Sequence, residues 1–229
     1  MRARVFAVFG AFVMGIAGCA TAAQRTAPQP SSPPVEGPIP SSPAAQAKAD
    51  NGLPAYTAAD VRFMQGMIAH HAQAVVMAAM TPTHGAGADL RILAERINVG
   101  QRDEIAFMQR WLRDRHETAP DPFAQHDMSA GQTPAPGMSM PGGLMPGMLT
   151  PEQMKQLDAA RGPEFDRLFL TFMIQHHQGA LTMVDQLFSS PGAGQDVYVF
   201  RFASDVSADQ NTEIDRMRSM LTARASHGN

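Results

Sequence analysis

Beyond residue 57, apolar side chains return every three or four positions, and the runs break at clusters of glycine and proline. This is the period of helices that bury one face. The first run, Ala58 to Met80, opens on Thr57 followed by Asp60, a capping-box start, and closes at Pro82 and the Gly85-Ala86-Gly87 loop. The second, Ala88 to Arg115, carries the stripe Leu90, Ala94, Ile97, Gln101, Ile105, Met108 and Leu112 with Trp111 at its flank, and Pro120 and Pro122 stop it. A segment rich in Gly, Pro and Met follows, residues 121–149. Thr150-Pro151-Glu152-Gln153 then begins a short helix to Ala160, with threonine as cap, proline at the first helical position and glutamine at the third. After Arg161-Gly162-Pro163 come a helix from Glu164 to Phe188, a loop from Ser189 to Gly194, and a last helix from Gln195 to Ala223. Aromatics are sparse and β-branched runs are short, so the predicted class is all-α.

The long helices form an internal repeat. Phe63 to Met77, FMQGMIAHHAQAVVM, returns as FLTFMIQHHQGALTM, Phe169 to Met183. Phe63 meets Phe169, Met67 meets Met173, His70-His71 meets His176-His177, and Met77 meets Met183; upstream, Asp60 meets Asp166. The partner helices repeat as well: Gln101, Glu104, Ile105 and Met108 align with Gln210, Glu213, Ile214 and Met217. Each copy is a His-bearing helix, a short loop and a helix reading Q-x-x-E-I-x-x-M. Short loops make antiparallel neighbours, so two such hairpins predict a four-helix bundle with approximate internal two-fold symmetry. The repeats span about residues 56–116 and 163–223, within a folded region of 53–225.

The repeat duplicates the most chemically distinctive residues. At 100° per residue, Met64, Ile68, His71 and Val75 share one stripe, and His70 lies on a flank with Phe63, Ala74 and Met77. Met67 stands at i−3 from His70 and i−4 from His71, which is neighbour spacing on a helix. Met173 stands likewise to His176 and His177. Each helix therefore offers imidazole nitrogen and thioether sulfur from one side. The plain structural reading is a flexible methionine core around hydrogen-bonded histidines. Adjacent histidines, duplicated with Met at i−3, point instead to metal. The candidate ligands are His70, His71, His176, His177, Met67 and Met173, then Met77 and Met183, then Met108 and Met217. Gln101, Glu104, Gln210 and Glu213 are placed to accept the second ring N–H of the histidines, or simply to edge the seam.

The pattern M-I-x-H-H-x-x-A…M followed by Q-x-x-E-I-x-x-M resembles the family called domain of unknown function 305. The resemblance covers about Tyr56 to Leu221, and Met145-Pro146-Gly147-Met148 with Glu152 and Met154 looks like that family's inter-repeat region. It implies a ferritin-like four-helix bundle in an exported bacterial protein. Some relatives are regarded as periplasmic copper-binding proteins. Ala69 and Gln175, just before the His pairs, depart from residues common in relatives.

Ligand softness narrows the metal. Thioether with imidazole suits Cu(I), and by the same softness Ag(I), with Cu(II) open to the histidines alone. Iron handling in such a bundle needs Glu-x-x-His, and a zinc protease needs His-Glu-x-x-His; the sequence has neither. Neutral imidazole is the binding form, so affinity is expected to fall below about pH 6.5. The inter-repeat segment offers a possible accessory group: His126, Met128, Met138, Met140, Met145 and Met148. For Met145 and Met148 the resemblance equally implies a structural or lid role. His84, His116 and His227 read as surface residues near helix or chain ends.

The N-terminus sets the compartment. Arg2 and Arg4 precede an apolar run, Val5 to Ala17, that is short for a bilayer span. Ile16-Ala17-Gly18-Cys19 resembles a bacterial lipobox, so residues 1–18 read as a lipoprotein signal peptide and Cys19 as the lipidated residue. Cys19 is the single cysteine, which leaves no disulfide and no thiolate ligand. Residues 19–52, rich in Pro, Ala and Ser, read as a disordered tether. A formal charge of −3 without a basic cluster argues against nucleic acid. The expectation is a lipid-anchored protein facing the periplasm or cell exterior. It binds copper for buffering, tolerance or delivery, with a copper donor or acceptor protein as possible partner. A copper-dependent oxidoreductase that oxidises Cu(I), and a structural envelope lipoprotein, stay open beside it.

Overall fold

The computed structural model describes residues 55–124 and 143–227. Its elements are α1 (Ala58–Ala79), α2 (Ala88–Asp114), α3 (Pro151–Ala159), α4 (Gly162–Ser189) and α5 (Val197–His227). Among the described residues there is no strand, and no helix is long and apolar enough to cross a membrane. Cys19, the tether, His126, Met128, Met138 and Met140 lie outside the described residues.

The caps explain where the helices begin. Thr57 accepts from the Asp60 amide and Asp60 accepts from the Thr57 amide, satisfying two of the donors that a helix start leaves open. Thr150 and Gln153 do the same for α3. At α5 the start is Asp196 rather than Gln195: its Oδ1 accepts from the amides of Tyr198 and Val199. The helix also outruns its expected end at Ala223, because Arg224 is held by Asp89 and Asp166.

Helices α1 and α2 form one hairpin, α4 and α5 the other, and the hairpins meet through α1 and α4, with α3 resting on α4. Two apolar clusters fill the two ends. One joins Phe63, Met64 and Met67 of α1, Ile105, Met108 and Leu112 of α2, Ala180 and Met183 of α4, and Phe202 and Val206 of α5. The other joins Ala74 and Met77, Leu90 to Ile97, Phe165 to Met173, and Ile214 and Met217. Repeat-equivalent residues thus occupy opposite ends. Each fully buried side chain of this size contributes about 1.5–3 kcal/mol.

Carboxylates tie the hairpins together at both ends. Asp60 accepts from the Gly194 amide at 2.7 Å, and its repeat equivalent Asp166 accepts from the Gly87 amide at 3.2 Å. Each donor lies in the loop that precedes the second helix of the other hairpin. Arg115 pairs with Asp196, both buried, while Arg224 pairs with Asp89 and Asp166 on a more open face.

One expectation is overturned. His84 is buried, not at the surface: its Nε2 lies 2.9 Å from the Asp158 carbonyl, and its own carbonyl accepts from the Gly162 amide at 2.8 Å. The α1–α2 loop folds back onto the end of α3, a contact that local sequence does not encode. His116 is exposed, in the left-handed conformation at φ 55° that closes α2.

Candidate metal centre

Between the two apolar ends lies a polar layer. His70, His71, His176 and His177 are all fully buried, and Gln101 and Gln210 are nearly so. The histidines occupy this level because each pair sits midway along its helix, with apolar turns on either side.

Nε2 of each ring faces an acceptor. His70 Nε2 lies 3.0 Å from the Pro146 carbonyl and His176 Nε2 lies 2.9 Å from the His70 carbonyl. His177 Nε2 lies 2.6 Å from Glu213 Oε2. His71 Nε2 lies 2.8 Å from Glu104 Oε2, an ion-pair distance without good hydrogen-bond alignment. A carbonyl only accepts, so His70 and His176 must carry their protons on Nε2. That leaves Nδ1 with its lone pair, and all four Nδ1 atoms are buried without a partner. Buried polar atoms are usually satisfied, so four equivalent orphans in one layer call for a ligand. The rings of His70 and His176 lie 3.9 Å apart between centroids, against 6.4 Å for His70–His71 and 6.2 Å for His176–His177.

Burial pushes the His70 imidazole down from 6.5 to about 3; charge repulsion with His71 adds to this, and the bond to Pro146 opposes it. His176 is held well below 6.5, first by burial and then by repulsion from His70, His177 and His71. Both rings are therefore neutral, the metal-binding form, well into acid. The proton competition expected near pH 6.5 is displaced downward at these two rings, because a charged imidazole here has lost its water.

The methionines expected beside the histidines are all buried. Met67, Met108 and Met183 share one apolar cluster, and their equivalents Met173, Met217 and Met77 share the other. Each trio comes from three helices and packs within one apolar cluster. The four polar candidates divide. Glu104 and Glu213 sit beside His71 and His177, whereas Gln101 and Gln210 keep unpartnered polar atoms and meet no ring nitrogen. Backbone carbonyls have taken the two Nε2 positions left over. Among the described residues, no three His, Cys, Asp or Glu side chains form a group able to hold a metal ion. Imidazole together with thioether is a donor set that would suit soft monovalent cations.

The sequence reading named Met145 and Met148 but missed the backbone between them. Met145 is buried in the first cluster and Met148 packs against it. Gln73 holds the segment on one side, donating to the Leu149 carbonyl at 3.1 Å and accepting from the Leu149 amide at 2.7 Å. Gln175 donates to the Gly147 carbonyl on the other, at 3.3 Å. Gly147, at φ +74°, lies against Gly179: a Cβ on Gly179 would overlap the Pro146 carbonyl and come within 2.5 Å of the Gly147 Cα. The sequence held a signal for this. Gln73 and Gly179 are equivalent in the repeat, as are Ala69 and Gln175, and both pairs differ just where the strap breaks the symmetry.

No curated protein matches the chain by sequence. Among solved structures, a DUF305 protein of Streptomyces coelicolor, designated a secreted protein, is 25% identical with a TM-score of 0.58, covering 73% of this chain and 94% of its own. A DUF305 fragment from Deinococcus radiodurans is 28% identical with a TM-score of 0.56, covering 73% and 98%. CopM in its Cu(II)-bound form is 25% identical with a TM-score of 0.54, covering 72% and 96%. Residues 60–221 match the family described as Domain of unknown function (DUF305), and the chain belongs to that family.

Proposed function

We propose that this protein binds copper, as Cu(I) in preference to Cu(II), and buffers or passes it on outside the cytoplasm. The observation that carries the reading is the layer of four buried imidazoles whose Nδ1 lone pairs have no partner, flanked by methionine trios. Copper bound by CopM, a protein of similar fold over nearly its whole length, supports the metal. His70, His71, His176 and His177 supply nitrogen, and Met67, Met173, Met77, Met183, Met108 and Met217 supply sulfur or pack around it. Glu104 and Glu213 orient His71 and His177. Anchorage through Cys19, with residues 19–52 as tether and 53–225 as the metal-binding domain, belongs to the same proposal. The secreted designation of the Streptomyces relative supports export.

The test is Cu(I) titration of the mature chain against a competing chelator, beside a variant with Ala at His70, His71, His176 and His177. Tight binding lost in the variant is expected. Binding retained in the variant moves the site to the methionines of the inter-repeat segment, and no binding by either protein ends the reading.

A further inference from the structure

All four imidazoles are fully buried, so an ion reaching them must displace something. Among the described residues, the strap 145–149 is the one non-helical segment that bonds a ring of the pairs, through the Pro146 carbonyl on His70. The other acceptors, the His70 carbonyl, Glu104 and Glu213, lie within α1, α2 and α5. Glu104 and Glu213 are about a quarter exposed, and a route past either must move a carboxylate that faces His71 or His177. A route past the strap opens the side-chain hydrogen bonds of Gln73 and Gln175 and the His70 contact and lifts the buried Met145 and Leu149, and it leaves the helical ladders intact.

We propose that the strap is the gate of the histidine layer, and that Gly179, Gly147 and Gln73 are positioning residues that seat its Pro146 carbonyl on His70. Closed, the strap fixes the His70 proton on Nε2 and turns the Nδ1 lone pair to the ion. Open, it uncovers the edge of His70, with His176 stacked behind at 3.9 Å. The strap also carries two thioethers into the first cluster, so its sulfur travels with the gate. Copy one has Gln73 to grip the strap where copy two has Gly179 to admit it; one strap therefore serves both copies from one side. This rests on the reading that the histidine layer holds the metal.

Gly179→Ala in the mature chain is the experiment. Alanine is the better helix former, so α4 persists while its methyl group expels the strap. Two readouts are taken. Hydrogen exchange on the metal-free protein follows the Leu149 amide, and a chelator-capture assay follows the rate of Ag(I) or Cu(I) release. The expected result is loss of Leu149 protection with α1 and α4 unchanged, faster release, and affinity lower by about 10- to 100-fold, the usual effect of removing a group that orients a histidine ligand. Gln73→Leu, which frees the strap from the other side, is expected to act in the same direction and stands in should Gly179→Ala fail to fold. Release unchanged while Leu149 exchanges freely overturns the gate and points to the Glu104 and Glu213 side. Absence of metal binding in the unmodified chain overturns the copper reading and the gate with it, while the exchange data still report the strap's seating.

Discussion

Acid should destabilise this protein through two histidines, His70 and His176. His70 and His176 are neutral in the fold, and their folded pKa values lie far below the 6.5 of an unfolded chain. Below pH 6.5 the unfolded state binds protons that the folded state refuses, so stability falls with pH. The stabilisation is complete above 6.5 and is lost progressively as pH drops towards the folded values, about 3 for His70. At pH 5 the His70 ring costs the fold about 2 kcal/mol, out of a total of roughly 5–15 kcal/mol, and His176 acts in the same direction. With a urea slope near 2 kcal/mol/M, His70 alone lowers the midpoint by about 1 M between pH 7 and pH 5, and His176 lowers it further. Asp89 and Glu164, held low mainly by Arg224 and Arg167, lose their stabilisation below the ordinary carboxylate range. Asp209 is pushed up by burial and by Glu104 and Glu213, so it works in the opposite sense. The assay is urea unfolding of chelator-treated protein followed by helix circular dichroism, beside the double variant His70→Gln, His176→Gln. A midpoint independent of pH in the unmodified protein, or an unchanged pH slope in the variant, refutes the argument.

Asp60→Ala removes the carboxylate half of the capping box, which accepts from the Thr57 amide, and the acceptor for the Gly194 amide, and should cost about 1–3 kcal/mol in urea unfolding. Arg115→Met strands a buried Asp196 carboxylate and should cost about 3–5 kcal/mol, with part of the loss recovered when Asp196→Leu is added. Glu213→Ala frees the His177 ring; Cu(I) affinity measured by chelator competition should fall about 10- to 100-fold, with little change in helix content.

Much of the fold was legible in the chain because its causes are local. The period of apolar residues, the Thr57 and Thr150 capping boxes and the glycine loops set α1 to α5 within a few residues. The repeat paired the helices, and it put the histidines at equivalent depths. The misreading of His84 involves a group distant in sequence. His84 lies buried because the end of α3, 74 residues further on, comes to meet it. Of the two roles open to Gln101 and Gln210, accepting from a ring N–H or edging the seam, they make no contact with a ring nitrogen, and carbonyls at Pro146 and His70 face those nitrogens instead. Helical periodicity states which face a side chain is on, but not which ring edge it turns or what acceptor arrives from another segment.

The division between sequence and tertiary structure follows from that. Sequence alone determined the residue types, their duplication and their softness, and hence the class of metal they would favour. Only the tertiary structure decided that the four rings share one dry layer, that carbonyls fix the protons of His70 and His176 on Nε2, and that the Nδ1 lone pairs are left over. Ligand chemistry is a property of side chains and can be read in order. Desolvation and tautomer are properties of an environment, which exists only once α1, α4 and the strap have packed.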